Sequence, residues 1–297
     1  GAAGFRRGTD LYFSRNDGRA ATLEDFLAAL GEANGIDLTP YLAWYGQAGT
    51  PRLKARGAYD AARREYVLTL SQHTPASHDQ PRKQPLPIPV KLALFGADGR
   101  MLPLHLDGQA AGTEAVVVLD ETEQDFVFRD VAEHPVPSLL RGFSAPVALE
   151  CDYTPAELAL LLTHDPDGFN RWEAGQQLAL RAYDALRDGA GPRAVDTWRD
   201  ALAGLFDDAR LDAALLADLL TPPGEIELAE RESTVDPARI HALRQQLQQQ
   251  LATRIGGARL EARYRALAAQ ATAALDAASQ ASRRLKQRVL QLLALVD

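Results

Sequence analysis

The fold of this chain is constrained most by the run at residues 126–147, FVFRDVAEHPVPSLLRGFSAPV. The run first alternates apolar and polar residues, is interrupted by Pro135 and Pro137, and resumes at residues 144–146. Proline removes a hydrogen-bond donor from a strand ladder and fixes φ. The run therefore predicts a strand at a sheet edge, a rigid corner, and a second strand that resumes near residue 144.

The region around this run, residues 51–150, has the period of a β domain. Short segments alternate between apolar and polar side chains, and glycine, proline or acidic turns separate them. The predicted strands are Tyr66–Leu70, Val90–Phe95, Val116–Leu119 and Phe126–Phe128. Several short strands at this spacing favour an antiparallel, Ig-like β-sandwich.

Residues 1–50 have a helical pattern instead. Thr22 followed by Asp25 is typical of an N-cap with an acidic side chain in the first turn. Thr39 and Pro40 predict a second, short helix, because proline is tolerated at the first helical position. We therefore expect an all-helical N-terminal segment.

Residues 151–297 are predicted to be helical throughout. Thr154, Pro155 and Glu157 form a capping box with proline at the first helical position, which is the sharpest boundary in the sequence. Further helices are predicted near 168–187, 193–206, 208–220, 236–255, 257–278 and 281–295. Helices of similar length with short turns favour a stacked, superhelical array of the solenoid type, although no strict repeat period is visible. We expect this α-helical domain to be incomplete.

Composition narrows the class of protein. The chain has 297 residues, 46% hydrophobic and 24% charged, which is ordinary for globular domains. A net charge of −8 argues against nucleic acid as a partner, since phosphate binding relies on a basic surface. No apolar stretch reaches the length of a membrane span, and the N-terminus has no secretory leader pattern. With Cys151 as the single cysteine, these features lead us to expect a cytoplasmic location and no membrane partner.

The chain offers no recognisable catalytic or metal-binding constellation. Zinc peptidases place two histidines four residues apart on one helix face, with a glutamate between them. Here no histidine has a partner at that spacing, and His73 and His78, five apart in a proline-rich loop, are expected to be surface residues. Cys151 has no basic neighbour and is expected to be structural. Asp207 and Asp208 are expected to begin a helix. We assign no catalytic residue and no metal ligand to this chain.

Three segments carry a resemblance to a known family. One is YLAWYGQAGTPRL, which contains the pattern W-x-x-Q-x-G-x-P at Trp44, Gln47, Gly49 and Pro51. The others are LYFSRNDGRAATLEDFLAAL near the N-terminus and TPAELALLLTHDPDGFNRWEAGQQL after the sandwich, where Phe169, Arg171 and Trp172 lie. In this order, the segments resemble the C-terminal portion of the bacterial aminopeptidase N family, which are gluzincin zinc metallopeptidases.

The resemblance implies a division of the chain into three regions. Residues 1–50 would be the helical end of the metallopeptidase catalytic domain, 51–150 the β-sandwich, and 151–297 the helical domain. The four pattern residues would form the junction between the first two regions: tryptophan anchors the last helix, glycine permits the reversal and proline starts the first strand.

The family's chemistry is implied to lie upstream of this chain. Its members bind zinc through H-E-x-x-H and a downstream glutamate, and hold the substrate amine with a G-x-M-E-N loop. None of these motifs is present here, so the resemblance implies zinc for the parent enzyme but no cofactor for this chain. The implied partners are the rest of the catalytic domain and peptide substrates.

Two functions are therefore open. In the first, the chain is the non-catalytic sandwich and helical cap of a zinc aminopeptidase, and it shapes access to the active site. In the second, it is a stand-alone scaffold, an Ig-like module plus helical solenoid that binds a protein partner. For the helical domain we expect Trp172 to pack inside and Arg171 and Arg181 to face solvent.

Overall fold

The computed structural model describes residues 1–106, 109–189, 193–270 and 272–296. Helices occupy both ends of the chain, and strands lie between them. This order of helical, β and helical regions agrees with the fold class predicted from the sequence.

The N-terminal region is a helical hairpin followed by two short turns of helix. Its elements are α1 (Ala2–Asn16), α2 (Leu23–Asn34), a 3₁₀ turn (Thr39–Leu42) and α3 (Ala43–Gly46). The expected cap forms at the start of α2: the Asp25 amide donates to Thr22 Oγ1 at 3.4 Å, and the Thr22 amide donates to Asp25 Oδ2 at 2.9 Å. Two orphan amides of the first turn are thereby satisfied.

The middle of the chain folds as two facing sheets. The strands are β1 (Arg52–Asp60), β2 (Glu65–His73), β3 (Ile88–Phe95), β4 (His105–Leu106), β5 (Gln109–Ala110), β6 (Ala115–Leu119), β7 (Glu123–Phe128), β8 (Val136–Leu139) and β9 (Ala148–Cys151). Within the described residues, one sheet has the order β5-β4-β7-β2-β1-β9 and the other β6-β3-β8. Neighbouring strands are antiparallel except β1 and β9, which are parallel.

The proline corner differs from the prediction. The second strand, β8, begins at Val136 and includes Pro137, which lies opposite Leu94 of β3. Because β8 is an edge strand, a residue without an N–H is tolerated there. Residues 144–146 form instead a bend that leads into β9. The strand therefore resumes earlier than the sequence suggested.

The C-terminal region is helical, as expected. Its helices are α4 (Pro155–His164), α5 (Gly168–Arg187), α6 (Arg193–Leu205), α7 (Ala213–Leu219), α8 (Glu225–Ala229), α9 (Pro237–Ile255), α10 (Gly257–Ala269) and α11 (Ala277–Leu293). The capping box at α4 forms, with the Thr154 amide donating to Glu157 Oε2 at 2.7 Å.

Three predicted helix ends are wrong. The helix predicted over 208–220 begins at Ala213, because Asp212 is its N-cap and accepts from the amides of the first turn. The helix predicted over 257–278 ends at Ala269, and the next one begins at Ala277 after Asp276. Asp207 and Asp208 consequently lie in the turn after α6 and do not begin a helix.

Two apolar cores hold these layers together. The first fills the sandwich and includes Tyr66, Leu68 and Phe128. The other fills the helical region around Trp198 and continues into the sandwich through Phe95. The β and helical regions therefore share buried apolar surface, which favours a single mechanical unit over two loosely linked domains.

Among the described helices, none combines the length and the apolar content that crossing a membrane requires.

Candidate functional site

The four residues of the W-x-x-Q-x-G-x-P pattern lie where the helical hairpin meets the sandwich. The Trp44 indole donates from Nε1 to the carbonyl of Pro87 at 2.9 Å, so the ring is tied to the proline-rich segment before β3. Gly49 has φ of +99°, a backbone conformation that favours glycine. Pro51 is buried, and its carbonyl accepts from the Ala148 amide at the start of β9.

Gln47 completes this junction by pairing with a backbone segment. Its Nε2 donates to the Gln84 carbonyl at 3.1 Å, and its Oε1 accepts from the Gln84 amide at 2.8 Å. Gln80 makes a similar pair with the chain at residues 46–48. The junction is thus held mainly by polar bonds to the loop between β2 and β3, and its side chains are partly exposed.

A second junction, between the sandwich and the helical region, is built from buried charge. Arg141 donates from Nη1 to Asp165 Oδ1 at 2.6 Å, and these two side chains are 3% and 0% exposed. Ser138 donates to the other oxygen of Asp165 at 2.6 Å. Asn170 donates to Ser138 Oγ at 2.7 Å and to the Leu139 carbonyl at 2.8 Å. Each charge in this network is paired and hydrogen-bonded, which offsets its desolvation.

The guanidinium of Arg141 also reaches the far edge of the sheet that contains β8, where Glu114 precedes β6. It donates from Nε to Glu114 Oε1 at 2.8 Å and lies 5.9 Å from the centre of the Phe95 ring. The hydrogen bond from Arg141 lowers the pKa of Glu114, so this carboxylate stays charged in mildly acidic solution. This arginine therefore connects β3, β8, the segment before β6 and the start of the helical region.

The chain around this arginine adopts a strained backbone. Leu140 and Phe143 have φ of +57° and +54°, and Gly142 has +60°. Positive φ is uncommon for leucine and phenylalanine. The Gly142 amide donates to Asp167 Oδ2 at 2.7 Å, which fixes the loop against the start of α5. Phe143, at the end of this loop, is 56% exposed.

Apolar side chains are also exposed on the N-terminal hairpin. Phe5 and Phe13 on α1 are 59% and 61% exposed, and Ile36 and Tyr45 further along are exposed as well. A groove of about 420 Å³ lies between this hairpin and the sandwich, and Trp44, Tyr45 and Pro146 line it. Exposed apolar side chains and an apolar groove are typical of an interaction face.

Expectations for the helical region are wrong at two neighbouring residues. Trp172 is exposed, and its ring lies 6.2 Å from that of Phe169 in a surface aromatic row. Arg171 is half-buried and faces inward, where it donates to the carbonyls of Leu162 and Thr163 at 3.0 Å. It satisfies the last carbonyls of α4, a role that favours burying the side chain. Arg181 is half-buried as well.

The nucleophile and metal candidates do not assemble into a site. Burial raises the pKa of the Cys151 thiol to about 11, which suppresses the reactive thiolate. His73 and His78 are exposed, as expected, and His241 pairs with Glu225 at 2.8 Å. Within the described ranges, no group of three or more His, Cys, Asp or Glu side chains could hold a metal ion. The described residues do not fit a zinc site.

Two family models match the chain and divide it near the start of α4. Residues 49–152 match a domain of unknown function with an Ig-like fold (DUF3458), and residues 155–297 match its companion, DUF3458_C, described as ARM repeats. Three curated proteins, each named aminopeptidase N, match most of the chain. Over 85–86% of it, the identity is 38% to the protein of Escherichia coli strain K12 and of Haemophilus influenzae, and 40% to that of Caulobacter vibrioides.

The chain is homologous to a C-terminal portion of aminopeptidase N. It spans about 30% of the length of these curated relatives. A crystal structure of aminopeptidase A from Legionella pneumophila, in complex with aspartic acid, is similar in fold. Its TM-score is 0.82 at 27% identity, and the match covers 100% of this chain and 34% of that one. The Ig-like and ARM-type domains are thus the non-catalytic type of domain found in aminopeptidase N relatives.

The sequence did not reveal the buried network around Arg141. Arg141 and Asp165 are 24 residues apart, and Ser138 and Asn170 are 32 apart, on opposite sides of the domain boundary. The only signal was local: an arginine inside an otherwise apolar run, SLLRGF, next to the proline corner.

Proposed function

We propose that this chain is the supporting, non-catalytic portion of a zinc-dependent aminopeptidase that removes N-terminal residues from peptides. In this proposal the β-sandwich connects the catalytic domain to the helical region. The helical region limits which peptides reach the active site. The single observation that carries the proposal is the identity of 38–40% to proteins named aminopeptidase N over 85–86% of the chain.

The proportion of the relatives that is matched supports a separation between support and chemistry. Because the chain corresponds to 29–30% of their length, most of each relative lies outside the matched region. The H-E-x-x-H and G-x-M-E-N motifs of the family would belong to that unmatched portion. Zinc would there activate the attacking water and polarise the peptide carbonyl.

The surface of the N-terminal hairpin supports a catalytic domain as its partner. Phe5 and Phe13 expose apolar rings that a complete catalytic domain would cover. By contrast, the Arg141 network joins the sandwich firmly to the helical region. A rigid unit of this kind is suited to holding a cap at a fixed position over an active site.

The access role can be tested in the complete polypeptide that contains this region. Two fluorogenic substrates are compared, a single aminoacyl amide and a peptide of about twenty residues. We expect removal of α9–α11 (residues 237–297) to raise the relative rate for the long peptide while the rate for the aminoacyl amide changes less than about threefold. An unchanged ratio of the two rates, in a variant whose secondary structure is retained, would contradict the access role.

A stand-alone scaffold remains a second candidate, because ARM repeats are favoured by the match at residues 155–297. Repeat arrays commonly present an extended binding surface. The two candidates differ in the coding sequence upstream of residue 1. A zinc-binding H-E-x-x-H motif in the same reading frame supports the aminopeptidase, and an initiation codon close to residue 1 supports the scaffold.

A further inference from the structure

A cavity of about 310 Å³ lies beside the strained loop, between the sandwich and the first two helices of the helical region. Its walls are largely apolar. The sandwich contributes Leu139, Val147 and Leu149, and α4 contributes Leu158 and Leu161. The volume is at the lower end of the range for small-molecule sites and suits a ligand of about ten non-hydrogen atoms.

The polar side chains that line this cavity are Tyr153, Asn170, Glu173 and Gln177. The Tyr153 hydroxyl is already used, because it donates to the Pro137 carbonyl at 2.8 Å. Glu173 and Gln177 line it from α5, and Gln177 Nε2 donates to Glu173 Oε1 at 3.1 Å. Asn170 lines it as well and is 93% buried, since its exposed fraction is 7%. Its Nδ2 donates to Ser138 and Leu139, while its Oδ1 has no partner among the described residues. No Lys, Arg or His is found among the described lining residues.

Two phenylalanines stand at the edge of this cavity. The rings of Phe143 and Phe169 lie 5.3 Å apart in an edge-to-face arrangement, and both line the cavity. Phe143 is presented by a backbone with positive φ, a conformation whose cost is commonly retained where it serves a site. Aromatic faces next to a carboxylate favour cations, because both present negative charge density.

We propose that this cavity binds a primary ammonium group carried on an apolar side chain. The apolar walls accommodate the side chain, and Glu173 pairs with the ammonium. A ligand carboxylate is disfavoured, because the described lining residues carry the negative charge of Glu173 and no cation. The ammonium can come from a free amine or from the N-terminus of a peptide. Neither source requires the chain to act as a peptidase.

Calorimetric titration of the 297-residue chain at pH 7 tests this site with four probes. These are 2-phenylethylamine, 3-phenylpropionate, phenylalanine and the amide of the dipeptide Phe-Gly. We expect a dissociation constant on the order of 1 mM for 2-phenylethylamine, from the binding energy available to so small a ligand. Phenylalanine and 3-phenylpropionate should bind at least about tenfold more weakly.

The dipeptide amide separates the two sources of the ammonium. If it binds as well as 2-phenylethylamine, the ligand class is a peptide N-terminus. If it binds at least about tenfold more weakly, the ligand class is a free amine. Failure of 2-phenylethylamine and of the dipeptide amide to show saturable binding overturns the proposal, as does equal binding of 2-phenylethylamine and 3-phenylpropionate.

Two variants place the binding in this cavity. Glu173→Gln should lower the affinity for 2-phenylethylamine about tenfold, because a charge-assisted hydrogen bond becomes a neutral one. Glu227 is exposed and lies outside the cavity, so Glu227→Gln should leave the affinity unchanged. Phe143→Ala should lower the affinity about threefold to tenfold. Phe13 is exposed to a similar extent but lies outside the cavity, so Phe13→Ala should not change the affinity. Thermal melting confirms that each variant is folded. Unchanged affinity in a folded Glu173→Gln chain overturns the assignment.

Because the readout is binding and not hydrolysis, failure here is distinct from failure of the proposed aminopeptidase role. Peptide cleavage in the complete polypeptide can persist without this site, and the site can be occupied in a chain without activity.

Discussion

The two ends of the sandwich are joined to their helical neighbours in different ways. Toward the C-terminus, the junction is buried, with Arg141 and Asp165 almost inaccessible to solvent and a shared apolar core beneath them. Toward the N-terminus, the hairpin of α1 and α2 is attached through Trp44, Gln47 and loop carbonyls, and its own apolar side chains face solvent. Within the described residues, the first interface is largely buried, whereas the apolar face of the second is uncovered.

This contrast indicates which contacts determine the shape of the unit and which depend on a further domain. Buried ion pairs fix a geometry because leaving either charge alone is costly. Exposed apolar faces gain little until something covers them. A chain with one interface of each kind is expected to have a rigid junction at the C-terminal end of the sandwich and an exposed apolar face at the N-terminal end. The proposed supporting role requires both features.

The largest expected effect comes from removing the central cation. Arg141→Met leaves Asp165 buried without its counterion, and we expect a loss of about 3–5 kcal/mol in the free energy of unfolding. Urea denaturation measures it. The control Arg6→Met removes an ion pair with Asp10 in which both side chains are exposed, and it should cost much less. A second substitution, Asp165→Leu, should recover some of the loss. If the two arginine substitutions lower the free energy of unfolding equally, the buried ion pair at the C-terminal junction contributes no more than an exposed one.

Next in size is the difference in local stability between the two junctions. We expect backbone amides of α1 and α2 to exchange with solvent about 100-fold faster than those of α5, because the hairpin can open without disturbing either core. Native-state hydrogen exchange followed by mass spectrometry reports both regions in one sample. Protection of the hairpin equal to that of α5 would contradict the idea that its faces lack a partner.

A smaller effect is expected at the N-terminal junction. Trp44→Phe removes the indole donor to the Pro87 carbonyl and should lower the free energy of unfolding by about 1 kcal/mol. The matched control is Trp172→Phe, the same chemical change at an exposed ring, with an expected cost below about 0.5 kcal/mol. If Trp172→Phe lowers the free energy of unfolding as much as Trp44→Phe, the hydrogen bond from the Trp44 indole to the Pro87 carbonyl contributes no measurable stability.

The smallest effect concerns pH. The hydrogen bond from Arg141 lowers the folded-state pKa of Glu114 below its usual 4.5. A lowered pKa contributes stability above the unfolded-state pKa, and this contribution is lost as the pH falls through the folded-state value. Since Glu114 is about one-third exposed, we expect only a few tenths of a kcal/mol. Denaturation at pH 7 and pH 3 should show a smaller difference for Glu114→Gln than for the parent chain. An equal or larger difference would place the titrating group elsewhere.

Local signals in the sequence predicted the features of this fold that depend on neighbouring residues. The capping boxes at Thr22 and Thr154 formed because each needs only a side chain three residues away. The helix end at Ala269 was missed, since the alanine-rich stretch beyond it keeps a helical pattern. Asp276 starts a new helix there by accepting from the Ser279 amide at 2.9 Å. Alanine has high propensity for helix but does not specify where a helix stops.

The candidate sites were harder to predict because they depend on contacts across the fold. Glu173 and Phe143 are thirty positions apart and meet at one cavity only once α5 packs beside the strained loop. Positive φ at a phenylalanine has no sequence signature of its own. The inward orientation of Arg171 likewise follows from the unsatisfied carbonyls at the end of α4, which became visible only in the structure.

The central claim is that this chain supports an aminopeptidase whose chemistry lies in sequence outside it. The most direct measurement compares zinc content and release of N-terminal amino acids for the 297-residue chain alone and for the complete polypeptide encoded with it. We expect about one zinc per molecule and activity in the complete polypeptide, and neither in the chain alone. Stoichiometric zinc with amino acid release from the isolated chain would contradict the account.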